Sequence, residues 1–186
     1  MATFTWTVDV ESDYGGRSQT TQGIVYGLPR ILEVFKQYGI NGLFFISTEL
    51  LGNYPVLPTH LRHLGHEVGS HGHFHVKYKE RWRSEEDKRI SMKMLDTQYY
   101  RAPWFNYETD CIYSQKANHV SVLKQSWFGG KIPNDPIFYI HPFDIVRGDS
   151  PPNTFCRVLY SHPDIVWDTF NRICKLYPGK DLSKDN

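Results

Sequence analysis

A continuous apolar run at 42–47, Gly-Leu-Phe-Phe-Ile-Ser, constrains the fold of this chain more than any other segment. It has the length of a β-strand but lacks the polar alternation that marks a strand with one face in water. Strands of this kind are buried on both faces, which occurs almost only in parallel sheets with helices on each side. The run therefore predicts an α/β fold.

The remaining segments alternate between strand-like and helix-like patterns, as a parallel sheet with right-handed crossovers requires. Further short strands are predicted at 3–10, 67–70, 99–102, 120–123 and 137–141. Helices are predicted at 29–38, 58–64, 84–95 and 163–176, with Ser84 capping the third. The segments 11–22 and 104–119 are predicted loops. Because 186 residues suit one hydrophobic core, we expect a single domain over 1–186.

Composition and charge exclude several classes of partner. The formal net charge is +1, which provides no basic field for binding nucleic acid. No run of about 18 apolar residues is present, so we expect no insertion into a membrane. The three cysteines are widely spaced and form no C-x-x-C pair. The first residues have a strand pattern rather than that of a signal peptide, which predicts a cytoplasmic location unless processing has removed a leader.

Two carboxylates, Asp9 and Glu11, stand at the end of the first predicted strand. Side chains alternate along a strand, so both lie on one face. In parallel α/β proteins the carboxyl ends of the strands carry the chemistry. One of the two carboxylates can be a metal ligand and the other a general base. Asp13 follows at the same two-residue spacing and is a third candidate. The alternative is that these acids only end the strand or cap a helix.

Three imidazoles fall within five residues at His71, His73 and His75. Packing alone does not explain such a cluster, and imidazole is a common ligand of Zn²⁺ and similar cations. The i, i+4 spacing can place His71 and His75 on one side of a turn, which leaves His73 in a supporting or structural role. A second set of histidines, expected on an exposed helix and its exit rather than at a metal, is His60, His63 and His66.

Two further residues follow predicted strands. Arg101, in the segment Arg-Ala-Pro-Trp, can hold a carboxylate by two hydrogen bonds, although a surface ion pair is the simpler interpretation. His141 ends an apolar strand before Pro142 and can act as a general acid or base, although a lone histidine of this kind is often structural.

Together these four segments resemble the motifs of the polysaccharide deacetylase family, the NodB-homology proteins of carbohydrate esterase family 4. The segment 7–11 is similar to the Asp-Val-Glu variant of its first motif, and 71–75 to its H-x-x-x-H motif. The segment 101–104 is similar to its arginine, proline and aromatic motif, and 138–141 to its histidine-terminated strand. The resemblance covers about residues 3–145. It implies a distorted (β/α) barrel with fewer strands than the regular eight-stranded form.

The resemblance implies a divalent cation, most simply Zn²⁺, with Co²⁺, Mn²⁺ or Ni²⁺ as alternatives. Its ligands would be Glu11, His71 and His75, with open positions for water and substrate.

The resemblance also implies the proton transfers of an amide hydrolase. Asp9, oriented by Arg101, would take a proton from the attacking water, and His141 would protonate the leaving amine. The cation and a backbone N–H near Trp104 would stabilise the oxyanion.

Two departures from the family pattern affect this assignment. Glu11 replaces the usual aspartate of the metal triad, so Asp13 is an alternative ligand. The motif that supports the acid histidine is not recognisable between 105 and 120, and the candidates for that support of His141 are Asp110 and Asp144.

The expected activity is metal-dependent removal of an acetyl or formyl group from an amino sugar, as in building a surface glycan such as an O-antigen. The compact chain favours a small or terminal sugar over a long polymer. The side chains predicted to line its pocket are Tyr14, Arg17, Trp104 and Trp127, with Phe128 beside them. The alternatives are an amidohydrolase of a non-sugar cyclic amide and a carbohydrate-binding protein that has lost catalysis.

Overall fold

The computed structural model describes residues 5–105, 118–146 and 160–179, and its centre is a parallel sheet. The strands are β1 (Trp6–Val10), β2 (Leu43–Ile46), β3 (Glu67–Ser70), β4 (His119–Ser121) and β5 (Ile137–Ile140). They are hydrogen-bonded in the order β3-β2-β1-β5-β4, and every pair is parallel. All the carboxyl ends therefore lie along one edge of the sheet.

Helices cover the sheet between the strands. They are α1 (Leu28–Gln37), α2 (Leu57–His63), α3 (Arg81–Leu95), α4 (Val122–Phe128) and α5 (Pro163–Leu176). Short 3₁₀ turns occupy Thr48–Gly52, Pro103–Phe105 and Pro142–Ile145, and a π-helical turn, Gly23–Gly27, leads into α1. One irregular helical turn, Asp13–Gly16, interrupts the predicted loop 11–22. No helix in the described ranges is both long and apolar enough to cross a membrane.

The two faces of the sheet have different environments, because side chains alternate along each strand. Val8 and Val10 face the main hydrophobic core beneath α1 and α5. There the Trp6 ring stacks on Phe138 at 4.9 Å and meets Phe170 edge-on at 5.5 Å. By the same alternation, Thr7, Asp9 and Glu11 lie on the opposite face, although all three are buried.

Two glycines allow the turn after β5 to pack closely against the start of α1. A Cβ at Gly27 would lie 1.9 Å from the carbonyl oxygen of Pro142, and one at Gly23 would lie 2.5 Å from the Phe143 nitrogen. A larger residue at either position would force the backbones apart. The pair therefore fixes the turn that follows His141 against the rest of the fold.

The predicted α/β class is confirmed, with fewer strands than a regular eight-stranded barrel. Within the described residues the sheet is open rather than closed into a ring. The predicted strand 99–102 contributes one parallel bridge, between Tyr100 and Ser70, at the outer edge of β3. The predicted loop 104–119 falls mostly outside the described residues.

Two local predictions were wrong. The strand predicted at 120–123 ends at Ser121, and the helix α4 begins at once, because the Ser121 hydroxyl accepts the backbone N–H of Lys124. The helix predicted from Ser84 starts three residues earlier, at Arg81, after the extended residue Glu80.

Candidate metal and catalytic site

The carboxyl ends of β1 and β3 bring one carboxylate and two imidazoles together. Glu11 Oε2 lies 3.1 Å from His71 Nε2 and 2.5 Å from His75 Nε2. The three possible ligand atoms all lie within 4.8 Å of one another. These side chains are almost completely shielded from solvent. The predicted metal ligands therefore meet at one point.

The chemistry of this cluster fits a divalent cation. Glu11 Oε2 is buried and has no hydrogen-bond partner among the described residues, although an imidazole nitrogen of His71 and one of His75 lie close to it. His71 Nδ1 lies 2.9 Å from the carbonyl oxygen of Arg101, which places the proton on Nδ1 and leaves the Nε2 lone pair facing Glu11. One carboxylate and two imidazoles form the ligand set of open catalytic zinc sites.

The electrostatics of the cluster favour the charged carboxylate. Burial raises the pKa of Glu11, but the His75 and His71 imidazoles outweigh it and hold that pKa well below its usual range. Burial lowers the pKa of His75, and the Glu11 carboxylate outweighs that effect and raises it. Glu11 is therefore ionised, as a metal ligand must be.

Asp9 lies beside this cluster but has a different partner. Arg101 Nη1 donates to Asp9 Oδ1 at 2.6 Å, and Nη2 donates to Thr7 Oγ1 at 2.9 Å. Burial raises the pKa of Asp9, but the Arg101 guanidinium together with the His71 and His141 imidazoles outweighs burial and lowers that pKa, so the carboxyl stays ionised. Arg101 is fully buried and packs against three aromatic rings, those of Phe45, Phe105 and Tyr139. The alternative of a surface ion pair for Arg101 is therefore wrong, because its pair with Asp9 is buried.

His141, after β5, completes the group. Its Nε2 lies 3.9 Å from Asp9 Oδ2 and 3.7 Å from Glu11 Oε1. On its other side, Nδ1 lies 3.2 Å from Asp144 Oδ2, which also accepts the His141 backbone N–H at 2.9 Å. Burial lowers the pKa of His141, but the Asp144 carboxylate outweighs it, so the pKa rises to about 10. Asp144 thus takes the supporting position, and the other candidate, Asp110, lies outside the described residues.

Asp13 does not join the metal cluster. Its Oδ2 accepts the Thr20 hydroxyl at 2.7 Å and the Gln22 N–H at 2.8 Å, and Oδ1 accepts the Gly23 N–H at 2.9 Å. It thus closes the loop before α1, which is the capping role considered as an alternative. His73 is likewise structural, because its Nδ1 lies 2.8 Å from the Thr48 hydroxyl.

Asp87 is a supporting residue that the sequence analysis missed. The charged stretch at 85–87 is typical of a solvated helix start, yet Asp87 is buried. Its carboxylate accepts the backbone N–H groups of His73 and Phe74, at 2.7 and 3.2 Å, and the Tyr78 hydroxyl at 2.9 Å. It therefore fixes the segment that carries His71 and His75.

The prediction that His66 is exposed was wrong, whereas His60 and His63 are exposed as expected. The His66 ring lies between Phe35 and Phe44, and its Nδ1 accepts the Gly42 N–H at 3.3 Å. Burial lowers the pKa of His66 to about 4. It is a neutral core histidine at the amino end of the sheet, far from the metal cluster.

A pocket of about 510 Å³ opens above the cluster. Of the predicted substrate-contacting residues, it is lined by Tyr14, Arg17 and Trp104, and also by Phe128. Trp127 does not line it, because its ring packs on the main core and lies 5.9 Å from the His162 ring. Successive residues of α4 point in different directions, so only Phe128 of this pair reaches the pocket.

Trp104 is held in place from several sides. Its ring lies 5.1 Å from that of His75, and the Arg17 guanidinium lies 5.0 Å above it. A Cβ at Gly15 would lie 2.9 Å from the indole, so only glycine allows this approach. Trp104 has a left-handed backbone with φ of 57°, and it is 42% exposed. The tryptophan therefore forms a fixed wall between the His75 ring and the open pocket.

Known proteins share this arrangement of strands. A model of the polysaccharide deacetylase family matches residues 22–119, which include His71, His75 and Arg101. No curated protein sequence matches significantly.

Three solved structures show the likeness in fold. The Bc1960 peptidoglycan N-acetylglucosamine deacetylase is 14% identical, with a TM-score of 0.60 over 94% of this chain and 83% of its own. The family 4 carbohydrate esterase from Streptomyces lividans, in complex with acetate, is 12% identical, with a TM-score of 0.51 over 90% and 88%. BA3943 from Bacillus anthracis, a CE4 family pseudoenzyme, is 11% identical, with a TM-score of 0.56 over 94% and 62%. With more than half of its length matched by the family model, this chain belongs to the polysaccharide deacetylase family.

Proposed function

We propose that this protein is a metal-dependent N-deacylase that removes an acetyl or formyl group from an amino sugar. The observation that carries the proposal is the meeting of Glu11, His71 and His75 beside a second carboxylate, Asp9, and opposite a histidine, His141. Membership of a family of hydrolases that act on amide bonds supports the reaction type. Zn²⁺ is the cation we propose, with Co²⁺, Mn²⁺ or Ni²⁺ as alternatives, because the ligands are imidazole and carboxylate.

A cation held by these three ligands would polarise the acyl carbonyl and make a water easier to deprotonate. Asp9, kept ionised by Arg101, is placed to accept the proton of that water as it attacks the carbonyl carbon. His141, proton-bearing and oriented by Asp144, is placed to donate a proton to the amine nitrogen as the C–N bond breaks. The products are a free amino sugar and acetate or formate.

The site supports an active enzyme over a binding protein without catalysis, although a pseudoenzyme shares the fold. A protein that only binds sugar would not require Asp9, Arg101 and His141 beside this cluster. Each has a hydrogen-bonding partner that fixes its orientation, which supports a role in hydrolysis. We also propose that the protein acts in the cytoplasm, where it would help to make a surface glycan such as an O-antigen. Fractionation of the producing cells would test the location.

The test is a substrate panel assayed with chelated protein and with protein reloaded with Zn²⁺. We expect release of acetate or formate from N-acetyl or N-formyl amino sugars only after reloading. Turnover of cyclic non-sugar amides alone would overturn the sugar assignment. If reloaded protein hydrolysed nothing, the protein would instead be a catalytically inactive binder.

A further inference from the structure

The two histidines of the proposed metal cluster are held in different ways. His71 Nδ1 lies 2.9 Å from the carbonyl oxygen of Arg101, which fixes the orientation of its ring. His75 Nδ1 is buried and has no hydrogen-bond partner among the described residues. A histidine that binds a metal usually donates its second ring N–H to a carbonyl or a carboxylate. Because His75 lacks this bond, another contact must orient its ring.

The backbone of Gly16 packs directly against the His75 imidazole. A Cβ added at Gly16 would lie 3.1 Å from His75 Nδ1 and 3.3 Å from the His75 Cβ. The Trp104 ring lies 5.1 Å from the same imidazole, and the His71 ring lies 5.0 Å from it. His75 is therefore held by packing, and Gly16 provides the surface next to its Nδ1.

The turn that carries Gly16 is itself fixed. Residues 14–16 have successive left-handed backbones, with φ of 59°, 72° and 70°. The Gly16 N–H donates to the Ser12 carbonyl oxygen at 3.0 Å, and the buried Tyr14 ring lies 5.9 Å from that of Phe143. A turn anchored in this way resists displacement, so a side chain at position 16 would displace the imidazole instead.

A cation site tolerates little displacement of this kind. A Cβ contact of 3.1 Å is tighter than nine in ten such contacts in proteins, so the neighbouring ring would have to move by a few tenths of an ångström. Ligands of a metal ion keep their distances to within about 0.2 Å. Movement of the imidazole on that scale shifts Nε2, which lies 2.5 Å from Glu11 Oε2 at the proposed metal site.

We propose that Gly16 is a positioning residue of the metal site and sets the orientation of His75 so that Nε2 faces Glu11. The inference rests on the proposed metal-dependent function and assigns a supporting residue to that same site. It requires that glycine is needed at position 16 for the contact with His75 and not only for the left-handed backbone.

The experiment titrates chelated protein with Co²⁺, whose visible absorption reports the geometry of its ligands, and separately with Zn²⁺. We expect Gly16→Ala to weaken binding of both cations about 10-fold or more and to alter the Co²⁺ absorption bands, because a histidine ligand loses its support. Gly16→Asn should weaken binding as well, although asparagine tolerates a left-handed backbone better than alanine does. The two variants differ in backbone strain but share a Cβ, so a common effect is due to the contact with His75.

Gly39→Ala is the matched control. Gly39 follows α1 and also has a left-handed backbone, with φ of 61°, but a Cβ there would meet no atom of the described residues within 4 Å. The substitution should lower the free energy of unfolding through backbone strain, as Gly16→Ala does. It should leave cation binding and the Co²⁺ spectrum unchanged.

A double-mutant cycle tests whether Gly16 acts through His75. In a His75→Ala background, measured at raised Co²⁺ concentration, Gly16→Ala should weaken the residual binding by less than about twofold. An equal loss in both backgrounds would overturn the inference, because Gly16 would then act on the fold rather than on this imidazole.

Two further results would overturn the inference while leaving the metal site intact. One is wild-type cation binding and an unchanged Co²⁺ spectrum in Gly16→Ala. The other is recovery of binding in Gly16→Asn, which would mean that backbone strain alone causes the loss. Failure of the wild-type protein to bind any divalent cation would instead count against the proposed metal-dependent function itself.

Discussion

At the scale of single residues, two carboxylates separated by one residue have different partners. Asp9 and Glu11 share one face of β1 and are equally buried. Asp9 meets a guanidinium that holds it in place and keeps it ionised. Glu11 meets the imidazoles of His71 and His75, and its buried Oε2 has no hydrogen-bond partner among the described residues. Residue spacing predicts that the pair is functional, and the family resemblance implies which carboxylate has which role. The positions of Arg101 beside Asp9 and of His75 beside Glu11 agree with that assignment.

Asp144 shows what the sequence leaves open at this scale. The segment His-Pro-Phe-Asp places it three residues after His141, a spacing that fits many turns. Only the 3₁₀ turn Pro142–Ile145 brings its carboxylate back to the imidazole. Sequence spacing could not distinguish it from Asp110, because that choice depends on a local turn rather than on the strand pattern.

Replacing Asp144 by asparagine keeps the shape of the side chain but removes its charge. We expect Asp144→Asn to lower kcat on N-acetyl amino sugars about 100-fold, because His141 loses the group that keeps its ring oriented and protonated. KM and cation content should change little. A steady-state comparison with Asp168→Asn, an exposed acid on α5, measures the effect.

A second substrate separates this role from a merely structural one. Hydrolysis of 4-nitrophenyl acetate needs no protonation of its leaving group, so Asp144→Asn should impair it much less than amide hydrolysis. Equal losses on both substrates would mean that Asp144 only maintains the fold.

At the scale of secondary structure, the hydrophobic and alternating patterns of the strands were the most informative features of the sequence. The apolar run at 42–47 became the buried strand β2, and the alternation in β1 placed Asp9 and Glu11 together. The sequence was least informative where tertiary contacts override local pattern. His66 and Asp87 are polar residues in hydrophilic segments, yet both are buried. The His66 ring lies between Phe35 and Phe44, and the Asp87 carboxylate accepts backbone N–H groups.

The segment His71–His75 has no regular structure of its own, so its shape depends on Asp87. Asp87→Ala would leave two backbone N–H groups and the Tyr78 hydroxyl without their acceptor. We expect the free energy of unfolding to fall by about 1–3 kcal/mol. Cation affinity should fall about 10- to 100-fold, because the histidine ligands lose their support.

Titration of chelated protein with Zn²⁺, together with urea unfolding, measures both effects. Glu86→Ala is the matched control one residue away, since Glu86 is exposed and pairs only with Arg89 among the described residues. Wild-type cation affinity in Asp87→Ala would show that the histidine segment holds its shape without this carboxylate.

At the scale of the whole molecule, the parallel sheet explains why residues far apart in sequence share one site. The proposed ligands and catalytic groups lie at or just after the carboxyl ends of β1, β3 and β5, which share one edge of the sheet. The central position of β1 places Asp9 and Glu11 between the others. The α/β class and this edge were predictable from the sequence. The strand order was not, because it depends on packing between segments more than 100 residues apart, such as Trp6 against Phe138.

The central claim is that Glu11, His71 and His75 hold one cation while Asp9 performs chemistry beside it. Metal analysis and turnover of three proteins test it: wild type, Asp9→Asn and Glu11→Gln, each reloaded with Zn²⁺ and dialysed. We predict one cation per chain in wild type and in Asp9→Asn, with turnover abolished in the latter, and cation affinity lowered by about 100-fold or more in Glu11→Gln. Loss of the cation from Asp9→Asn with retention in Glu11→Gln would contradict the account, because the two carboxylates would then have the opposite roles.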